Sequence, residues 1–362
     1  MKKTHSLLPG LISAALLAAA LPAQAEWSER AELTQERLHG KFWDDDASRF
    51  LTGYPEDGDH WHYWWQAHAL DVLIDAYERT GDEAFLERAG ALYEGVLEVN
   101  DGITNDFYDD MLWMALALLR LHDITGDETY REAIDELWQD IQTGWNDHYG
   151  GGIAWEKNQL DYKNTPSNAP AVILAARLYQ TFGEEEDLEW AKRIYTWLQD
   201  TLIDPDTGFA WDGINRQGDG EIDKNWAFTY NQGTYIGASL ELYRVTGEEE
   251  YREEAFRTAA ATVDRLVDDE TGIFTESGSG DGGLFKGILV RYMTDLIQAF
   301  PDQTAQYREL LLKNADTLWS QTRETEPLLF AADWSETGEA PLDLSVQLSG
   351  LKLIEHAAQL TD

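Results

Sequence analysis

Gly102-Ile-Thr-Asn-Asp-Phe-Tyr-Asp-Asp-Met-Leu-Trp-Met-Ala-Leu-Ala-Leu-Leu-Arg120 changes character halfway along. Its first half is polar and loop-like; Met111 to Leu119 is nine apolar residues without a break. A helix apolar on every face belongs inside a protein or a membrane, and nine residues are far too few to span a bilayer. The stretch therefore reads as a buried helix entered through a polar loop. Two adjacent carboxylates, Asp109 and Asp110, stand at its mouth.

Thr125-Gly126-Asp127 closes this pattern, and similar phrases recur at Thr80-Gly81-Asp82, Phe182-Gly183-Glu184 and Thr246-Gly247-Glu248. Glycine suits the left-handed position that ends a helix, and the acidic residue suits the start of the next. Each phrase is thus a tight turn joining two helices. Before the turn the helices are apolar nearly all round, as in Met111–Leu119 or Ala169–Ala176. After it they are one-sided. In 132–142, Ala133, Ile134, Leu137, Trp138 and Ile141 share one face, while Glu132, Asp135, Glu136, Gln139 and Asp140 share the other.

Buried inner helices alternating with solvent-facing outer ones are therefore expected. Such segments number about twelve, near 26–41, 60–80, 83–99, 108–126, 127–142, 168–183, 184–201, 229–247, 248–267, 284–300, 302–321 and 343–361. Inner-to-outer turns are short. Outer-to-inner stretches (143–167, 202–228, 268–283 and 322–342) are long and rich in Gly, Asp, Asn and Trp, and long irregular loops in a compact domain are usually functional. The predicted fold is all-α, an (α/α)6 barrel or six-hairpin toroid, with its long loops at one end. Short strands are expected around Gly151–Trp155 and Gly208–Trp211.

Residues 1–25 read as a secretory signal. Lys2 and Lys3 form the positive end, Leu11 to Leu21 the apolar stretch, and Ala23-Gln24-Ala25 a small-residue cleavage site. The expectation is a secreted or periplasmic protein whose one catalytic domain covers 26–362, with no membrane insertion and a monomeric state. The chain has no cysteine, which removes disulfides, thiolate chemistry and cysteine-based zinc sites. Its net charge of −41 makes nucleic acid and anionic membranes poor partners. A solvated acidic coat suited to saline surroundings accounts for the charge better than a cationic partner does. With 15 Trp, 16 Tyr and 12 Phe, the chain is too aromatic to be a disordered acidic tail.

Two carboxylates are the minimum equipment for glycoside hydrolysis, one as acid/base and one as nucleophile or base. Consecutive helical side chains diverge by about 100°, yet the carboxyl groups of Asp109 and Asp110 can converge toward the roughly 5–5.5 Å of a retaining site. Mutual repulsion would raise one pKa, and the helix N-terminus would favour the other as an anion. Plain helix capping is the competing explanation. Aromatic and amide residues cluster at the other inner-helix mouths: Trp61 to Gln66, Gly150 to Trp155, Asn164 to Asn168, Asn225-Trp226, Thr229 to Gly233 and Gly283 to Gly287. Flat aromatic faces stack on sugar rings, and Asn and Gln both donate to and accept from hydroxyls. Core packing explains any single Trp, but repetition at successive loop ends fits a neutral, polyhydroxylated substrate in a groove.

Other motifs are weak. His60, His62 and His68 lack the i, i+4 spacing of a zinc helix. Asp219, Glu221 and Asp223 lack the spacing of a calcium loop and read as solvated charge, and Asp44-Asp45-Asp46 reads as a loop or capping run. No metal and no cofactor are expected.

The residues resemble glycoside hydrolase family 76, the endo-α-1,6-mannanases. The resemblance rests on Asn105-Asp106-Phe107-Tyr108-Asp109-Asp110 followed by Trp113 and Ala115. Trp64-Trp65-Gln66, Gly151 to Trp155, Asn164 with Asn168, Tyr230-Asn231-Gln232-Gly233 and Phe285-Lys286-Gly287 support it. Met114 departs from the family, which often repeats Trp there. The resemblance implies an (α/α)6 barrel, a retaining mechanism on α-1,6-linked mannose backbones, Asp109 as nucleophile and Asp110 as acid/base. The residues expected to bind substrate are Trp64, Trp65, Gln66, Asn105, Tyr108, Trp113, Trp155, Asn164, Asn168, Tyr230, Asn231, Gln232, Phe285 and Lys286, and the expected partner is α-mannan or a manno-oligosaccharide. The alternatives are a mannan transglycosidase on the same site, a non-catalytic glycan-binding protein, or another α/α-barrel activity.

Overall fold

A computed structural model describes residues 23–55, 60–322 and 329–361. The signal-peptide reading of 1–22 lies outside the described residues. Ala23 to Ala25, the cleavage motif, open the first helix.

Twelve α-helices are present among the described residues: α1 (Ala23–Phe42), α2 (Tyr63–Thr80), α3 (Glu83–Asn100), α4 (Tyr108–Thr125), α5 (Glu128–Gln142), α6 (Thr165–Phe182), α7 (Glu185–Leu202), α8 (Thr229–Thr246), α9 (Glu249–Leu266), α10 (Phe285–Ala299), α11 (Ala305–Ser320) and α12 (Leu344–Leu360). The even-numbered helices pack in sequence, α2 on α4, α4 on α6, and so on to α12, which returns to α2 and closes the ring. The odd-numbered helices cover it from outside. The first helix, α1, packs chiefly on the last, α12, and so seals the seam. This is the (α/α)6 barrel.

The alternation follows from burial. Every residue of α4 from Met111 to Leu119 is buried, whereas α5 buries only Ala133, Ile134, Leu137, Trp138 and Ile141. The four inner-to-outer turns are built as their sequences require. Gly81, Gly126, Gly183 and Gly247 each have φ between 67° and 79°, and each donates its N–H to a carbonyl of the last helical turn at 2.7–2.9 Å. A residue with Cβ would be strained there. Asp82 and Asp127 then cap the next helix by accepting from Ala84 and Thr129. The α10–α11 connection uses the 3₁₀ turn Pro301–Gln303 instead, so it carries no such phrase.

The inner helices are less uniformly apolar than the sequence suggests. Asp71 and Asp75 of α2 lie inside the ring with Arg120 of α4, Arg291 of α10 and Lys352 of α12. Arg120 meets Asp75 at 2.8 Å and Arg291 meets Asp71 at 2.7 Å. Long cationic side chains reach across the narrow axis, and each buried charge is paired, which is the condition for tolerating it.

Four inner helices share a second device. Gln66, Asn168, Gln232 and Gln347 each exchange two hydrogen bonds with one backbone residue, respectively Phe50, Ile153, Ala210 and Phe330, at 2.7–3.0 Å. Each clamped residue forms a β-bridge in the loop that follows an outer helix, as Trp43 with Phe50 or Ile203 with Ala210. The clamp satisfies a buried N–H and C=O that a loop leaves unpaired and ties the loop to the mouth of an inner helix.

Short strands follow the same loops. β1 (Trp43–Asp44) pairs with β2 (Arg49–Phe50), and β3 (Gly53–Tyr54) pairs with β7 (Leu342–Asp343). A three-stranded sheet joins β4 (Ala154–Glu156), β5 (Gln159–Asn164) and β6 (Gly213–Ile214). Near 208–211 only a single bridge forms, between Ile203 and Ala210; the strand starts later, at Gly213. Among the described residues no helix is long and apolar enough to cross a membrane.

Candidate active site

The inner helices all run the same way, so their N-termini gather at one end, where a cleft of about 430 Å³ opens. Asp109 and Asp110, in the first turn of α4, stand in it beside Trp64, Phe107, Trp113, Trp155, Asn164, Asp212, Arg216, Trp226, Phe228, Tyr230, Asp281 and Phe285, with His62 at the margin. The turn into α4 is set by Asn105, whose Oδ1 accepts from the Phe107 N–H at 2.8 Å. Tyr108 is buried behind the pair, its hydroxyl 3.3 Å from that of Thr143.

The two carboxylates are not equivalent. Asp109 accepts from the backbone N–H groups of Asp110, at 3.0 Å, and of Asp109 itself, and from the Trp155 side chain. Burial pushes Asp109 up to about 7, against those donors and with the charge of Asp281 adding to the rise. Burial also pushes Asp110 well above the carboxylate range, and the charges of Asp109 and Asp281 push further. Asp110 has none of those compensating donors. The geometry thus favours the anion on Asp109 and the proton on Asp110, with the pair titrating as a unit.

Aromatic rings build the walls. Phe107 and Trp155 pack with centroids 5.1 Å apart, Tyr230 and Phe285 at 3.8 Å, and Trp64 and Phe285 at 6.5 Å. On one side Asp212 is buried and accepts from Tyr230 and Tyr162 hydroxyls at 3.2 and 3.1 Å, Asn231 at 3.0 Å and Arg216 at 3.2 Å. The Arg216 guanidinium lies over Trp226 at 3.9 Å. On another side Asp281 accepts from the indoles of Trp64 and Trp65.

The residues singled out from the sequence therefore separate into groups. Asp109, Asp110, Trp64, Trp113, Trp155, Asn164, Tyr230 and Phe285 line one cleft. Trp65 and Asn231 stand behind it and hold Asp281 and Asp212. Asn105 and Tyr108 shape the entry to α4. Gln66, Asn168 and Gln232 point into the backbone clamps and are buried away from the cleft. Lys286 is also buried: its Nζ donates to the Ala332 carbonyl at 2.7 Å over the Trp334 ring, and burial lowers it to about 8. Met114 is wholly buried, so the departure at that position bears on packing. His62 stacks on Trp65 at 4.1 Å, and His68 packs on Trp113 at 5.0 Å. No cluster of three metal-ligating side chains occurs among the described residues.

Sequence reasoning missed Asp212, Arg216, Phe228 and Asp281. Asp212 follows Trp211 in a Gly-flanked loop, and Asp281 sits in Gly280-Asp281-Gly282-Gly283 just before an inner-helix mouth. Position relative to the mouths was the available signal; the residue type carried none in so acidic a chain.

Residues 26–361 match the family model described as glycosyl hydrolase family 76. The structure is similar to that of an α-1,6-mannanase from a Salegentibacter species, with a TM-score of 0.87 and 44% identity, covering 92% of this chain and 99% of that one. An inactive variant of that mannanase, with two consecutive aspartates changed to asparagine, was solved in complex with α-1,6-mannotriose. A protein of Listeria innocua gives a TM-score of 0.88 at 43% identity, covering 92% and 97% of the two chains. The mannan endo-1,6-α-mannosidase of Candida glabrata is 23% identical over 68% of this chain. The chain spans about 60% of the length of such curated relatives.

Proposed function

Because this chain belongs to glycosyl hydrolase family 76, a family of glycoside hydrolases, we propose that it cleaves α-1,6-mannosidic linkages within mannan backbones, with retention of anomeric configuration. The observation that carries this reading is the unequal carboxylate pair at the floor of an aromatic cleft. Asp109, which accepts from backbone N–H groups and Trp155, attacks the anomeric carbon and forms the glycosyl-enzyme bond. Asp110 gives its proton to the departing glycosidic oxygen, then takes one from the water that releases the sugar. The N-terminus of α4 stabilises negative charge at both residues. Trp64, Trp113, Trp155, Tyr230 and Phe285 offer rings to the mannose units, and Asn164 and Asp212 offer polar groups to their hydroxyls. The similarity to α-1,6-mannanases supports the substrate, and the signal-like N-terminal sequence supports export of the chain.

The test is incubation with linear α-1,6-mannan, with products sized and their anomeric form followed by NMR from the first turnover. Early large oligosaccharides of α configuration are expected. Mannose alone would overturn endo action; β products would overturn retention. No cleavage by the native protein, with mannotriose still bound, would leave a binding protein instead.

A further inference from the structure

Two further carboxylates line the cleft beside the pair, Asp212 and Asp281, and the two-carboxylate mechanism gives Asp281 no part. Asp281 lies in the 3₁₀ turn Gly280–Leu284 that leads into α10 and lines the same cleft as the pair. Its Oδ1 accepts from Trp64 Nε1 at 3.0 Å and Trp65 Nε1 at 3.1 Å. Two successive helical side chains diverge by about 100°, yet here both indole N–H groups converge on one oxygen. Trp65 is buried and stacked on His62, so that donor is held in place. The turn itself is pinned as well: the Gly280 N–H donates to Asp343 Oδ2 at 2.7 Å. Gly283 packs so closely that a Cβ would come within 2.9 Å of the Val346 nitrogen.

The groups facing Asp109 and Asp110 come from several elements: His62 and Tyr63 at α2, Tyr230 at α8, Asp212 and Arg216 from the loop before α8, and Asp281. Asp212 is paired with the Arg216 cation and accepts from three further, neutral donors. Asp281 instead accepts from two neutral indoles, which leave its charge in place.

Resting on the acid–base reading of Asp109 and Asp110, we propose that Asp281 is a positioning residue for the reaction: its indole-fixed negative charge keeps one proton on the pair, so that the acid remains loaded while the nucleophile is ionised. The charge of Asp281 opposes ionisation of both residues, as any like charge does at short range. Mutual repulsion already separates the two ionisations; the charge of Asp281 raises both, so the second proton is held to higher pH.

Asp281→Asn tests this directly, because the amide oxygen still accepts from the indoles while the charge is gone. A negative charge raises its neighbours' pKa values, so its removal lowers them. Both limbs of the kcat/KM profile are expected to move to lower pH by roughly 0.5–1 pH unit. Asp281→Glu, which keeps the charge, is expected to return the limbs to their parental positions. A carboxyl ¹³C NMR titration of the pair without substrate should show the same displacement. Limbs and titration unchanged in a folded Asp281→Asn protein would overturn the proposal. Should that variant not fold, the Glu and Gln variants at 281 read the same charge difference at equal side-chain length. An absence of mannan cleavage by the native protein would count against the proposed function, while the substrate-free titration still decides the part of Asp281.

Discussion

Tyr230 and Phe285 lie face to face, ring centroids 3.8 Å apart and planes 3° from parallel. They open neighbouring inner helices, α8 and α10, so one stack joins two mouths of the barrel. The Tyr230 hydroxyl also donates to Asp212 at 3.2 Å. The stack therefore fixes a ring of the cleft wall and a carboxylate together. Phe285→Ala should free Tyr230, and KM for α-1,6-manno-oligosaccharides should rise about 5–10-fold, from an aromatic contact of roughly 1 kcal/mol. Initial-rate kinetics check this; a fall in kcat alone would contradict it.

The pair itself should be costly to the fold and indispensable to turnover. Asp110→Asn should lower kcat/KM by about 10²–10⁴-fold, and Asp109→Asn by at least as much, since no nucleophile remains. Binding of α-1,6-mannotriose, measured by calorimetry, should survive in both.

Stability should move the other way. The folded-state pKa of each residue is raised above its unfolded value. The folded protein therefore holds protons that the unfolded chain has released, and its stability falls as pH rises from the unfolded value through the folded one. Neither asparagine variant carries that cost at its replaced position. At pH 8 each should melt about 1–3 °C above the parent, and near pH 4 the difference should shrink. Equal melting temperatures at both pH values would refute the linkage.

The pH profile follows from the same groups. With Asp109 pushed up to about 7 and Asp110 pushed well above the carboxylate range, the acid limb of kcat/KM should lie near neutrality. A free carboxylate would place it about three pH units lower. Below it the nucleophile is protonated; above the second limb the acid has lost its proton. A plateau extending down to pH 5 would exclude this assignment.

Gln66 and Trp64, two residues apart in α2, should give opposite phenotypes. Gln66→Leu leaves the Phe50 N–H and C=O buried without partners, which should cost about 2–4 kcal/mol of stability. Mannotriose affinity in the surviving folded protein should stay within about twofold, as for independent sites. Trp64→Ala should weaken binding about 5–10-fold with a smaller effect on melting. Denaturant titration and calorimetry on both variants separate the two roles.

Much of this was legible in the chain. Apolar runs such as Met111–Leu119, the one-sided segment 132–142 and the Gly–acid turns report burial and backbone conformation, which are local consequences of side-chain type. They sufficed for twelve helices, inner and outer, and for loops gathered at one end. They also placed Asp109 and Asp110 at a helix mouth. What they could not do was sort amides. Gln66, Asn168 and Gln232 look as suited to sugar hydroxyls as Asn164 does, yet three of these four turn to a backbone segment 15 to 22 residues away. That choice depends on which loop carbonyl lies nearby once the outer helices have packed. Nor could the sequence bring Asp281 to Trp64, 217 residues apart in the chain. Ring closure of α12 on α2 brings α10 and its preceding turn round to α2. Periodicity encodes which face of a helix is buried; only the closed barrel decides which side chains from distant helices meet at its open end.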